Sequence, residues 1–466
     1  MIGIIEENKR NLLFSEYFTQ NQVYVVMRKY QQLALTIISA VSLVAFLFYK
    51  HEYDRLRYTL EYLDTFGQPP SDNDIKPSCG YGTHRRVSTP PVDWIQVTPD
   101  LQVYSSFFDD TNGMGEPQVR TIAAVRKSSE PPTDLGSLLW FETEEMPVPG
   151  SCNVEQVVER PHGIADHKYE ELQIMFIMCS AENKKLMLSK VPYMIQFTVG
   201  KKSISGAVYI HETETLKSVE DTSAVCIAPL NSPIDSLRVV EFFAYHNIIG
   251  FKKFTAYGTV LTPLARRLFD KYGDEIGISV EEKQFSSSKD FILTDFAIRK
   301  VIELDCLYRH RDAYENVIIL TIDEYLVPQH KDKFQEVLFV LSGGGRRHQQ
   351  IGEFHLLTQK ICLDSEHFTK GVLLSAKQTH VTGETQEEGV AILRPHLIIS
   401  SLGTISGGKS SEAQHINAAS ALVYHYISCS PGTNMHLDTH HLPISAKTVD
   451  KLEKSLLIRK WKVNQW

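Results

Sequence analysis

The sequence predicts an α/β domain with a mostly parallel sheet, preceded by a β-rich subdomain and one transmembrane helix. Three observations predict it. From about residue 219, short apolar strands alternate with helices that end at Gly or begin at Pro, the rhythm of a parallel sheet covered on both faces. Between residues 92 and 218 the runs are short, alternating and split by turn residues, the pattern of a β-rich unit. Leu33–Tyr49, LALTIISAVSLVAFLFY, contains no charged residue.

That apolar run sits at the short end of what a membrane-crossing helix requires, and its hydrophobicity is uniform around the helix. Its polar groups, Thr36, Ser39 and Ser42, can bond back to their own backbone. It begins too far from the N-terminus to be a simple secretory signal, so the expectation is a signal anchor at 33–49 behind a tail at 1–32. Residues 50–91 pass from a charged helical pattern into a Pro-, Ser-, Gly- and Asp-rich stretch, a stem and linker.

The 466 residues are 42% hydrophobic and 22% charged, an ordinary globular composition, and the length suggests two domains or one large domain with attachments. A net charge of -8 speaks against nucleic acid as a partner, because phosphate binding needs a basic face. All seven cysteines follow the apolar run. Disulfides are permitted if the body is luminal, with an odd thiol left over. The chain has no Asn-x-Ser/Thr sequon.

In the α/β region, AVCIAPL is a strand, SLRVVEFFAYHNIIG a helix closed by Gly250, and FKKFTAY a strand. LTPLARRLFDKYGD is a helix with Pro263 in its first turn, ISVEEKQF a strand, and ILTDFAIRKVIELDCLYRHRD a long helix. The strand around Val317–Ile322 follows, and it runs directly into Asp323 and Glu324 before stopping at Pro328. A carboxylate where a parallel strand emerges is costly to bury unpaired, and ligands gather at the carboxyl ends of such strands. There it can hold a divalent cation, and the cation a diphosphate.

Several blocks carry a resemblance. DCLYRHRDAYENVIILTIDEYLVP (Asp305–Pro328) is similar to the metal-site segment of the family 92 glycosyltransferases, with its Asp-x-Asp-Glu core. SAVCIAPLNSPIDSLRVVEFFAYHNIIGFKKFTAYG (Ser223–Gly258) resembles the start of the same domain, through Val240, Glu241, Phe242, His246 and Gly250. GEFHLL, the Arg394–Pro395 pair and LVYHY follow in the family's order. The resemblance spans about residues 220–430. It implies a GT-A-type nucleotide-sugar-binding domain at 219–450 and the layout of a Golgi type II membrane protein with a luminal body. It also implies inverting transfer of a hexose, galactose in known members, from a nucleotide sugar such as a UDP-sugar to a glycan or glycoprotein acceptor, assisted by a divalent metal such as Mn2+.

Carried over residue by residue, the resemblance makes Asp323 the metal ligand. Three departures stand against the pattern. Thr321 replaces the first acid, Thr404 stands where a His is usual, and Phe296–Arg299 replaces a Gln-containing stretch. Thr321 and Glu324 are expected on the donor side, Thr321 through its hydroxyl to ribose and Glu324 by orienting a neighbour. His425, in LVYHY, is the candidate to complete the metal shell, and Glu353 the candidate base for the acceptor hydroxyl. Lys409, in GTISGGKS, is a candidate phosphate contact. That stretch matches a phosphate loop formally, but too little chain follows it for such a fold. The basic SGGGRRHQQ loop and HLDTHH read as solvated segments, and Glu241 as structural. The rival expectation is a membrane-anchored binding module on the same fold, its catalysis lost with the first acid.

Overall fold

The computed structural model describes residues 94–463 except 111–116, 158–170, 201, 204–205, 212–222, 231–233, 287–290, 343–350, 364–372, 375–379, 387–389, 403–411, 429–434, 437–443 and 445, together with Ser39 and Ser42. The chain divides into two units, residues 1–82 and 83–466. Of the first, only Ser39 and Ser42 are described, both helical and exposed. Leu33–Tyr49 otherwise lies outside the described residues. Among those described, no helix is long and apolar enough to cross a membrane, so the expected transmembrane helix finds no support there.

The second unit opens with nine strands: β1 (Ile95–Thr98), β2 (Leu101–Asp109), β3 (Gln118–Arg126), β4 (Leu135–Trp140), β5 (Val148–Gln156), β6 (Leu172–Ala181), β7 (Met194–Val199), β8 (Lys202–Ser203) and β9 (Val208–His211). They run β2-β3-β6-β5-β4-β7, and β9 pairs with both β7 and β2, closing a seven-stranded barrel. Closure removes the exposed strand edges that an open β unit would present. Alternate residues such as Val103, Val119, Ala123, Val125 and Ile177 fill the interior. Cys152 and Cys179, directly opposite each other on β5 and β6, are joined in a disulfide.

The α/β sheet has the order β12-β11-β10-β13-β18-β15-β19, made of β10 (Ser223–Ala228), β11 (Lys253–Tyr257), β12 (Ser279–Lys283), β13 (Asn316–Thr321), β15 (Ile351–His355), β18 (Ala391–Leu393) and β19 (Glu412–His415). It is parallel except at β18, which is antiparallel to both of its neighbours. β10 is buried at every position, as a central parallel strand must be. A third sheet, β14-β20-β16-β17-β21, consists of β14 (Glu324–Pro328), β16 (Thr358–Leu363), β17 (His380–Gln386), β20 (Ala421–Ser428) and β21 (Met435–His436).

A short helix, α1 (Lys184–Ser189), follows β6. One face of the α/β sheet packs against α2 (Ser236–Ile248) and α3 (Pro263–Ile276). α2 ends where Gly250 takes φ +116° and the Phe251 amide bonds back to His246 O at 2.9 Å, a conformation that disfavours any side chain. The other face packs against α4 (Asp295–Arg309), which Thr294 caps by accepting from the Ala297 amide at 3.2 Å. The remaining helices are α5 (Phe334–Ser342), α6 (Pro395–Leu402), α7 (Ala446–Glu453) and α8 (Leu456–Val463).

α4 lies between the sheet and the barrel. Its Val301, Ile302, Leu304 and Tyr308 share one apolar cluster with Tyr104, Phe107, Ile122 and Phe176 of the barrel's outer surface. Buried charges cross the same seam. Asp109 of β2 lies 2.9 Å from Arg120 of β3 and 3.5 Å from Arg311. Arg120 stacks over Phe176 and Tyr308, with its guanidinium carbon 5.0 and 5.5 Å from the ring centres. Within α4, Arg309 forks onto Asp305 one turn back at 3.1 and 3.0 Å, and Tyr257 of β11 donates to the same carboxylate at 2.6 Å. Burial alone would raise the Asp305 pKa, but the Arg309 charge holds it well below the usual carboxylate range. The opening residues of the Asp305–Pro328 block, through Tyr308 and Arg311, therefore join the barrel to the α/β domain.

Candidate active site

β13 is apolar from Val317 to Leu320, and Thr321 stands where it emerges at the carboxyl end of the parallel sheet. There the chain turns at Ile322–Asp323 and enters β14. Two carboxylates close the turn. Glu324 accepts from the Thr321 amide at 2.8 Å, and the Thr321 hydroxyl donates to Asp323 Oδ1 at 2.5 Å. Thr321 and Asp323 are thus tied to each other, which leaves Asp323 Oδ2 facing His425 Nε2 at 3.5 Å. His425 arrives from β20, where it sits directly opposite Glu324. The Tyr426 amide donates to Asp323 O at 3.0 Å and extends the same pairing.

Glu324 is a buried carboxylate with a cationic partner. Arg299 of α4 donates to its two oxygens at 3.2 and 3.4 Å and to Ile319 O at 3.1 Å. With the Thr321 amide this occupies both oxygens, so Glu324 orients its neighbours rather than offering a ligand. Arg299 is the residue that sequence reading missed as a contributor. It sits 25 positions from Glu324 on a different element, and only the packing of α4 along β13 brings the two together.

β14 is held from behind by α2. Tyr245 donates to Leu326 O at 2.8 Å, and the Leu326 amide donates to His246 Nε2 at 3.4 Å. His246 Nδ1 bonds Phe242 O at 2.8 Å, which places the proton on Nδ1 and leaves Nε2 as acceptor. Burial pushes the His246 pKa down to about 3, so this imidazole stays neutral and structural. Glu241, one turn earlier, is fully buried and accepts from the Leu374 amide at 2.9 Å, a structural role.

Electrostatics link the two open side chains. Burial raises the Asp323 pKa, but the hydrogen bond and charge of His425, with the Thr321 hydroxyl, bring it below its ordinary value. Burial lowers the His425 pKa, but Asp323 and the Glu324 charge lift it above its ordinary value. Asp323 Oδ2 and His425 Nε2, 3.5 Å apart, fit a divalent cation, since a metal at about 2.1 Å from each spans that gap. The residues present thus offer one oxygen and one nitrogen, and the remaining positions would fall to a diphosphate and water.

The other expected site residues lie elsewhere. Glu353 is buried on β15 with Oε2 3.2 Å from His355 Nε2. Its register through Leu393 makes it level with Val317, two strands over and four residues back from Thr321, or about 16 Å away at ordinary strand spacings. The structure does not bring it to Asp323, because its strand position and burial hold it at the other end of the sheet. Lys409 and Thr404 lie outside the described residues. Among the described residues one group of three metal-type side chains exists, Cys226, Cys306 and His310. The two sulfurs are bonded to each other, so no thiolate is present to ligate.

The family model for glycosyltransferase family 92 matches residues 221–465, more than half of the chain. No curated protein matches. Similar solved structures include an apo structure of WbbM, a bifunctional glycosyltransferase, at 9% identity and TM-score 0.30, over 58% of this chain and 56% of that one. A galactosyltransferase, LgtC, in complex with donor and acceptor sugar analogues, is similar at 10% identity and TM-score 0.26, over 52% of this chain and 99% of that one. A putative glucose-1-phosphate thymidylyltransferase from Bacillus anthracis, in complex with a sucrose, is similar at 10% identity and TM-score 0.23, over 45% and 87%. This chain, with its paired carboxylates at the mouth of a parallel strand, belongs to glycosyltransferase family 92.

Proposed function

We propose that this protein transfers a hexose, galactose by the family's pattern, from a UDP-sugar to a glycan acceptor with inversion, on a GT-A-type domain. The observation that carries the reading is the Asp323–His425 pair, 3.5 Å apart and partly open to solvent at the carboxyl end of β13. Asp323 and His425 would hold a divalent cation, Mn2+, which when bound neutralises charge on the departing nucleoside diphosphate. Thr321 fixes the Asp323 rotamer through its hydroxyl, and Glu324 fixes the turn through the Thr321 amide. α2 holds β14 at Leu326, so the turn is built on a rigid element. Two disulfides, Cys152–Cys179 and Cys226–Cys306, support a luminal body matured under oxidising conditions. The uncharged Leu33–Tyr49 stretch supports a single-pass anchor in the Golgi membrane.

A second reading, a binding module without transfer, is favoured by one fact: Thr321 brings no charge and Glu324 is occupied, leaving Asp323 as the one open acid of the turn. Calorimetric titration of the full-length protein with uridine diphosphate, with and without Mn2+, tests the donor site. Mn2+ is expected to tighten binding, and Asp323→Ala to remove that tightening. Absence of binding in either condition from a cooperatively folded sample would sink the donor-site reading. Donor binding without turnover across sugar and acceptor screens would favour the module.

A further inference from the structure

We propose that the reduced chain holds a zinc ion between Cys226, Cys306 and His310, at the position that the disulfide closes in the oxidised chain. The three residues are distinct from the Asp323 turn, and the proposal does not rest on the donor-site reading. Cys226 stands on β10, Cys306 on α4 and His310 just past the end of α4, so fixed points of the fold supply the ligands. Their ligand atoms all lie within 4.8 Å of one another, and all three residues are fully buried. A tetrahedral zinc, with sulfur at about 2.3 Å and nitrogen at about 2.0 Å, needs ligand atoms about 3.5–3.8 Å apart. After reduction the two sulfurs need only part to that spacing. With Cα atoms 6.3 Å apart, the cysteines can do so by turning their side chains, without backbone movement. Two sulfurs and an imidazole nitrogen suit zinc rather than a hard, oxygen-seeking cation.

His310 sets this pair apart from a purely structural bridge. A disulfide needs no polar neighbour, whereas a buried imidazole is costly unless something bonds to it. Thr255 on β11 holds the ring, with Oγ1 2.9 Å from Nε2. Metal-ligating histidines are fixed in this way through one ring nitrogen while the other coordinates. The barrel's Cys152–Cys179 bridge is the contrast: among the described residues, no such three-ligand group forms around it. The two closures exclude each other. When a disulfide oxidant attacks the zinc-bound dithiolate, the Cys226–Cys306 S–S bond forms. The two electrons break the oxidant's own S–S bond, its two sulfurs take up two protons from solvent, and Zn2+ leaves with its thiolates gone. Until then the ion keeps together two cysteines 80 positions apart and holds them from pairing with the remaining ones.

The test uses the full-length protein, folded and purified under a phosphine reductant with Zn2+ present, because a fully buried site loads as the chain folds. Reduced wild type is expected to retain one zinc per chain after desalting, and Co2+ in its place to give a thiolate-to-cobalt charge-transfer band. Cys226→Ser and His310→Gln should each bring the zinc to background. Thr255→Val, which frees the ring but removes no ligand, should weaken zinc affinity about ten- to a hundredfold in chelator competition. Cys152→Ser with Cys179→Ser should leave the zinc in place. Oxidation by glutathione disulfide should release one zinc for each Cys226–Cys306 bond, followed by peptide mapping. Reduced wild type that folds without zinc, zinc indifferent to Cys226→Ser or His310→Gln, or zinc retained after the bond has formed overturns the proposal. Where a variant fails to fold, the wild-type cobalt spectrum decides, and absence of the thiolate band overturns it.

Discussion

Asp109→Asn is expected to be among the most costly single-atom changes in the second unit. The carboxylate of Asp109 is fully buried, 2.9 Å from Arg120 and 3.5 Å from Arg311, whose side chains are 2% and 5% exposed. Asn keeps the volume and removes the charge, so Arg120 stays buried without an anion within reach. Breaking a buried pair from one side costs about 3–5 kcal/mol. The Phe176 and Tyr308 rings over Arg120 remain and offset part of that, so about 3 kcal/mol is the expected loss. Unfolding entropy of about 2.1 cal/mol/K per residue over roughly 370 residues gives about 0.8 kcal/mol/K, hence a melting point lower by about 4 °C. Scanning calorimetry and urea midpoints measure it. A second variant, Asp109→Leu with Arg120→Met, removes both charges and should recover most of the loss, because a matched apolar pair is close to neutral. A single variant melting within about 1 °C of wild type would show that these charges are solvated or paired elsewhere and refute the account of the seam.

Two further outcomes are expected. His246 and His211 are both held near pKa 3 by burial, against 6.5 when unfolded. The unfolded chain takes up protons first, so stability is full above pH 6.5 and falls as the pH drops towards 3, by about 1.4 kcal/mol per histidine at pH 5.5. Urea midpoints at pH 7.5 and 5.5 read this, and a flat profile would mean that these imidazoles reach solvent. The Cys226–Cys306 bridge closes 80 residues and Cys152–Cys179 closes 27. Chain entropy assigns them about 4.5 and 3.6 kcal/mol, so the Cys226→Ser, Cys306→Ser pair should cost more than its barrel counterpart in denaturant titrations. The reverse order would point to residual structure in the unfolded chain.

Much of the α/β domain is legible because its signals are local. A fully apolar strand, a Pro at a helix start and a Gly at a helix end each act within a few residues, and β13, α2 and α3 follow from them. The turn at Asp323 was legible for the same reason: two carboxylates at a strand mouth are a local anomaly. Arg299 and Arg311 were not, since each depends on a partner brought in by tertiary packing, Glu324 for one and Asp109 for the other. Glu353 illustrates the converse. An acid beside a strand looks available until register shows which end of the sheet it occupies. Barrel closure was also out of reach, because it rests on β9 pairing with β2 across about a hundred residues.

α4 has its two ends assigned to different tasks. Arg299 near its start holds the turn that carries Asp323, and Arg311, just past its end, reaches Asp109 of the barrel. Twelve residues separate them. An apolar seam alone would tolerate a small slide, since methyl groups exchange neighbours with little penalty. A buried ion pair does not, because it loses its partner within an ångström or two. The barrel therefore works as a gauge block: it sets where the helix stands along its own axis, and through it the height of a guanidinium in a site the barrel does not touch.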